Sequence, residues 1–360
     1  MDKPIKTISE YINAIETIVE NEKQDHSVVM FRGESQEYST PCQPNIFRTK
    51  LSQKDKFFEK NLFEEMTANH LTNGQTYLEK AIDAQHGGFP SRLLDVSYNC
   101  LAALYFAVTP YYTEKENIYD GKDGMVYVFF LEEMYCPTGD NINKAYNACV
   151  EHNTDWFDGQ DLFQKNHKLI DHIKKNPRII AQQGAFILFQ GDRLSSFPSY
   201  RYKKIRIDGN YKPQLRQELR LYFGIHTGSI YPEEFNLVDE MIRKSEQMSP
   251  LAFSVEDELK LVFQNIRRLA NYYVELLIRS KPATYRDVVQ QVEEELLDYR
   301  LRLDTFLSNS KAVKDEDTRI QHQKEYNAIV EEFANEAELA MEEHPNYAVK
   351  ICRNELLFVI

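Results

Sequence analysis

Residues 83–108 read DAQHGGFPSRLLDVSYNCLAALYFAV, and this stretch sets unusual residue types between two segments with the periodicity of ordinary core. Gln85 and His86 close a helical segment that Gly87-Gly88 and Phe89-Pro90 must break, because glycine accepts backbone angles other residues avoid and proline removes a donor. Ser91-Arg92-Leu93-Leu94-Asp95 then places a cation and an anion around an apolar pair. Ser97 and Asn99 offer a cap before Leu101, Leu104, Tyr105 and Val108 resume helical spacing. The stretch predicts a turn stiffened by a polar knot, with Arg92 and Asp95 paired to each other or to backbone. His86 reads either as a satisfied core histidine or as a functional group.

Upstream, Thr7 or Ser9 caps an amphipathic helix with Ile8, Tyr11, Ile12 and Ile15 on one face. Val28–Phe31 is a short apolar run ending at Arg32-Gly33, the pattern of a buried strand that delivers a charged side chain. Arg32 can offer its planar fork to a carboxylate or phosphate beside an open glycine backbone, or pair internally with Glu34 or Asp95. Ser35 to Lys50 reads as a loop with two apolar anchors, Ile46 and Phe47, followed by Arg48. Helices are expected around Phe57–Met66 and Tyr77–Ile82.

Downstream, Met125–Leu131 is the clearest strand by its β-branched and aromatic content, and it is expected to be central. Glu132–Phe163, around Trp156, reads as an excursion or surface loop. Arg178 opens a segment in which Gln182-Gln183-Gly184 lead into the apolar strand Ala185–Phe189. Lys203–Ile207 alternates like a partly exposed strand, and a helix ends at Gly224.

The formal net charge of -13 argues against a broad nonspecific nucleic-acid surface, although a local basic groove is compatible with it. The five cysteines lack CxxC spacing, so neither a zinc site nor a disulfide framework is indicated. The N-terminus has no apolar signal core and no stretch is long enough to span a bilayer, so no membrane partner and a cytoplasmic location are expected. From Ser254 three amphipathic patterns follow, with acids outnumbering bases, and they predict an acidic helical bundle. The apolar tail Leu356–Ile360 should be buried, in this chain or a neighbour, which makes oligomerisation through the helices or tail an expectation.

Taken together, Phe31-Arg32-Gly33, the PxIFR ending at Arg48, the QHxGxPxRLLD run of Gln85 to Asp95, NCLAALYFA, the RxxAQQGAF of Arg178 to Phe186 and GIHTGSIYP resemble the FRG domain, a bacterial family. The resemblance covers roughly Val28 to Lys244. The FRG opening is in turn similar to the strand-borne arginine of arginine-serine-glutamate ADP-ribosyltransferases. That more distant likeness implies NAD as cofactor, Arg32 on its phosphates, Ser97 or Ser91 on the nicotinamide-ribose side, and Ala185–Phe189 as the late strand. The glutamate of those enzymes is missing, and Gln182, Gln183 and Ala185 stand where it would be. An amide can hydrogen-bond a ribose but cannot act as a base.

The expected architecture is therefore α+β: a small mixed sheet of Val28–Phe31, Met125–Leu131, Ala185–Phe189 and Lys203–Ile207 surrounded by helices, then an all-α domain. The expected divisions are a packing helix at 1–24, the FRG region at 25–248 and the helical domain at 249–360. The residues expected to act are Arg32, His86 and Gln183, with Arg32, Gly33, Arg48, Ser97 and Gln182 holding the cofactor and no metal site. The resemblance implies an NAD-dependent enzyme acting on a protein or nucleic acid in a defence or toxin system. The alternative is a non-catalytic module that senses a ligand or docks a partner.

Overall fold

The computed structural model describes residues 3–22, 27–48, 55–109, 118–152, 165–171, 176–190, 197–248, 254–310, 313 and 315–360. The side chain of His86 lies outside the described residues, as do Trp156 and Phe163. Packing divides the chain into two compact units, Met1–Gln247 and Met248–Ile360.

In the first unit seven strands form one mixed sheet. They are β1 (Val28–Glu34), β2 (Leu93–Ser97), β3 (Gly124–Leu131), β4 (Met134–Tyr135), β5 (Lys168–Ile170), β6 (Gly184–Leu188) and β7 (Tyr202–Ile207). Their order is β4-β5-β6-β2-β1-β3-β7, with β4 and β5 parallel and the other neighbours antiparallel. The helices of this unit are α1 (Ile8–Glu22), α2 (Asn45–Arg48), α3 (Phe58–Ala68), α4 (Tyr77–His86), α5 (Cys100–Val108), α6 (Asp140–Glu151), α7 (Pro177–Gln182), α8 (Lys212–Phe223), α9 (Thr227–Ile230) and α10 (Glu234–Gln247). The α+β class read from the sequence stands.

The sheet departs from expectation at its centre. Leu93–Ser97, which reads as a polar turn, is a strand with three strands on either side of it in the sheet. Leu93, Leu94, Val96 and Ser97 are all buried and Asp95 alone is exposed, so the strand has no alternation for a sequence reading to detect. The excursion after Glu132 likewise contains β4, and α6 buries Ile142, Ala145 and Tyr146. Met125–Leu131 is an interior strand, one place in from the edge strand β7.

Alternation along the paired strands sorts the core. On one face Phe31, Val126, Val128 and Ile205 pack under α1, α5 and α8. Phe31 lies opposite Ser97, so Leu93, with Phe186 and Leu188 of β6, continues this same face under α3, α4 and α6. The opposite face carries Met30, Leu94, Val96, Tyr127 and Ile187 against the anchors Ile46 and Phe47.

Helix α5 sits very close to this sheet because the strands beneath it carry glycine. A Cβ on Gly33 would lie 1.8 Å from the Ala103 carbonyl oxygen, and one on Gly124 would lie 2.5 Å from that of Ala107. Asn99 starts the helix by accepting from the Leu101 and Ala102 amides at 2.9 and 3.3 Å.

A buried ion pair braces the other flank. Arg92 Nε donates to Glu59 Oε2 at 2.6 Å, and Tyr146 Oη donates to Glu59 Oε1 at 2.7 Å. These contacts tie α3, the entry to β2 and α6 together with both charged side chains 3% exposed. Arg92 thus pairs with a residue 33 positions away rather than with Asp95.

A buried lysine locks a third corner. Lys212, at the start of α8, donates from Nζ to the main-chain oxygens of Ser35 at 2.6 Å and Tyr119 at 3.2 Å. Burial pushes its pKa down to about 8, with the nearby Asp120 acting against the shift. The unfolded chain holds that proton up to about pH 10.4. Between these values the unfolded state binds more protons than the folded one, so this group adds stability as pH rises. We expect the stability of the protein relative to a Lys212→Met variant to increase between pH 7.5 and 9.5, measured by urea titration at each pH. A difference independent of pH would refute the shifted lysine.

In the second unit α11 (Val255–Arg279), α12 (Tyr285–Asn309) and α13 (Glu316–Met341) bury one apolar seam through Phe263, Ile266, Val292, Leu296, Tyr326 and Phe333. Ser254 caps α11 by accepting from the Asp257 amide at 3.1 Å. The tail docks here through α14 (Arg353–Leu356): Leu356 is buried, Phe358 stands edge-on to Tyr326, and Arg353 pairs with Glu331 and Glu338. Within the chain itself Val359 stays 99% exposed and Ile360 57% exposed. No helix among the described residues is long and apolar enough to cross a membrane.

Candidate functional site

The two helix-covered regions of the sheet face do not meet. Between them a cleft of about 300 Å³ opens over the centre of the sheet. Most of its polar lining comes from three elements: Arg32 and Gly33 on β1, Asp95 and Ser97 on β2, and Arg178 and Gln182 on α7. Phe31, Phe106 and Tyr231 supply aromatic walls, and Gln85 of α4 stands at the side.

The cleft exists because β1 and β2 part. They pair at Phe31 and Ser97, and beyond that point a side chain takes over: Arg32 Nη1 donates to the Asp95 main-chain oxygen at 2.8 Å. Arg32 Nε meets Glu34 Oε1 at 3.2 Å. Its Nη2 has no protein partner among the described residues, and the side chain keeps 19% of its exposure. An anchored guanidinium with one edge open is prepared for an anion, because little freedom remains to be lost on binding.

Glu34 joins two motifs. Its buried Oε1 also accepts from Arg48 Nη2 at 3.3 Å and the Cys42 amide at 3.1 Å. Arg48 further donates to the Gln43 main-chain oxygen at 2.9 Å and lies over the Tyr38 ring. Arg48 is therefore placed behind Arg32, orienting it through a shared carboxylate, and does not line the cleft.

Ser97 is 4% exposed and its hydroxyl serves backbone: it donates to the Gln182 main-chain oxygen at 2.7 Å and accepts from the Asn99 amide at 2.9 Å. Ser97 thereby holds α7 against β2. Gln182 donates to the Ile230 oxygen at 3.2 Å, drawing in α9. Gln183 takes a left-handed conformation at the end of α7, with φ 47, and is exposed outside the cleft. Gly33 turns its hydrogen to α5, so the space a side chain would fill there belongs to the helix.

Several lining residues carried no functional role in the sequence reading. Arg178 ion-pairs with Glu233 and lies over the Tyr231 ring at 5.2 Å, and Tyr231 meets Phe106 edge-on. Asp95, read as part of a brace, is instead exposed at the cleft. Protein crowding around β2 raises its carboxyl above the ordinary value although the residue reaches solvent, and Arg32 pulls the other way. A lone acid inside the apolar run LLDVS is the sequence signal that could have found it.

No group of residues among those described could hold a metal ion. The cleft can chemically do two things: present guanidinium groups to an anion and aromatic faces to a ring.

Residues 27–116 match the family model of the FRG domain. Arg32, Gln85, Asp95, Ser97 and Phe106 lie within that span, whereas Arg178, Gln182 and Tyr231 reach the cleft from beyond it. No curated protein and no solved structure matches the chain.

Proposed function

We propose, from the premise that the chain carries an FRG domain, that the cleft binds a nucleotide-type ligand and that the ligand is NAD, whose ADP-ribose is transferred to a macromolecular target. The convergence of distant motifs carries this reading: FRG, the Gln85–Asp95 run, the Arg178–Gln182 segment and Tyr231 all line one cleft.

In this reading the open edge of Arg32 holds the pyrophosphate, and Phe106 and Tyr231 offer faces to a ring. A volume of about 300 Å³ is at the lower end of small-molecule pockets, so part of a dinucleotide would extend past the mouth. In the transfer, the bond from ribose to nicotinamide breaks with its electron pair leaving on nicotinamide. The acceptor's lone pair forms the new bond to that carbon, and the acceptor's proton passes to solvent or base.

A second reading is favoured by the Ser97 hydroxyl, which is committed to backbone: the cleft then senses the ligand without turning it over. Labelled NAD separates the two. Transfer of label to protein or RNA supports the enzyme, binding without transfer supports the sensor, and no binding refutes NAD in both. Arg32→Lys keeps the charge but loses the fork. We expect it to weaken binding by about 1.5 to 3 kcal/mol, roughly 10- to 100-fold, by isothermal titration calorimetry.

A further inference from the structure

We infer that Asp95 is the specificity-determining group of the cleft, its carboxylate accepting hydrogen bonds from the hydroxyls of a ribose whose phosphate is held by Arg32. The inference rests on the nucleotide reading of the cleft and adds to it a named sugar contact.

The position of Asp95 is the first support. β2 is the middle strand of the seven-stranded sheet, and its other described residues are all buried. Asp95 stands opposite Phe186, on the face that continues into buried clusters in both directions. An exposed carboxylate at the centre of an otherwise covered sheet face marks a place where the helices leave room for something else.

The second support is what the carboxylate does not do. Its contact among the described residues is Gln85 Nε2 at 3.5 Å, at the limit of a hydrogen bond, and no ion pair reaches it there. Arg32 is close, yet it donates to the Asp95 main-chain oxygen rather than to the carboxylate. Gln85 is itself anchored by its bond to the Leu93 main-chain oxygen at 2.6 Å. The acid is therefore held in place without being neutralised by a bonded cation, unlike Glu34 and Glu59.

Charge then selects the ligand. Arg32 calls for an anion, and Asp95 beside it repels one that brings nothing else. A cationic donor would suit Asp95 but would be repelled by Arg32 and Arg178. The group that satisfies both is a neutral donor attached a short distance from a phosphate, which describes the hydroxyls of a ribose phosphate. A carboxylate accepts two such hydroxyls through its two oxygens.

The test compares ADP, its 2′,3′-dideoxy analogue and inorganic pyrophosphate by isothermal titration calorimetry on the full chain. The unmodified protein should bind ADP about 10- to 100-fold more tightly than the dideoxy analogue, the range for losing hydrogen bonds to a charged group. Asp95→Asn should lose most of that preference and should bind pyrophosphate more tightly than the unmodified protein does, because the repulsion is gone. Equal affinity of the unmodified protein for ADP and dideoxy-ADP overturns the inference and leaves the anion site standing. Failure of ADP and pyrophosphate alike to bind overturns the nucleotide reading as well. Both outcomes are read on the unmodified protein, so neither depends on the variant folding.

Discussion

Gly33→Ala should unfold or nearly unfold the first unit, with a loss of about 3 kcal/mol or more. The added methyl would sit 1.8 Å from the Ala103 carbonyl oxygen, 2.7 Å from the Ala107 amide nitrogen and 2.9 Å from the Ala103 carbonyl carbon. All three are helix backbone, which cannot step aside as the tip of a long side chain can. Relief requires lifting α5 off β1, and with it the buried contacts of Ala102, Ala103 and Ala107. Gly88→Ala is the matched control: no atom lies within 4 Å of its Cβ position, but its φ of +75 disfavours a side chain. That conformational cost is about 1–2 kcal/mol. Urea unfolding of both variants checks the difference. Gly33→Ala no worse than Gly88→Ala would mean that α5 does not rest on β1 as described. The glycine of the Phe-Arg-Gly motif is accordingly explained by packing, while the arginine before it is explained by the cleft.

Breaking the Glu59–Arg92 pair should cost about 3–5 kcal/mol. Glu59→Leu leaves a guanidinium that is 3% exposed without its carboxylate, and also strands the Tyr146 hydroxyl. The buried cation is the costly part, so the double variant Glu59→Leu, Arg92→Met should recover much of the loss. A double-mutant cycle by thermal or urea unfolding measures this directly. If the double variant is as unstable as Glu59→Leu alone, the pair is not the source of the effect. The α4 segment preceding the turn has its own local support in the Thr76–Glu79 capping box.

Three strands, lying to either side of the middle one, were legible because their residues carry strong local signals. Val28–Phe31, Met125–Leu131 and Ala185–Phe189 are β-branched or aromatic runs bounded by glycine or charge, and each falls in a strand. The long helices of the second unit were legible by their apolar spacing and, for α11, the Ser254 cap. The middle strand was not, since period-two alternation disappears when both faces of a strand are covered. A different reason, distance along the chain, hid the partner of Arg92. A charge three residues away in sequence, such as Asp95, is visible at once, whereas Glu59 becomes a neighbour only when α3 packs across β2.

The amino-acid sequence alone determined the class of fold, the ordered set of motifs and Arg32 as a charged residue carried by a buried strand. Those properties are local: they follow from side-chain periodicity, backbone preferences and residue spacing. Only the tertiary structure decided which polar residues share a cleft. It separated Arg32, whose guanidinium keeps an open edge, from Arg48, which stands behind it on Glu34, although both are arginines at the end of a short apolar run. It also moved Asp95 from the brace to the site, because exposure at the centre of a sheet depends on where helices from distant parts of the chain leave a gap.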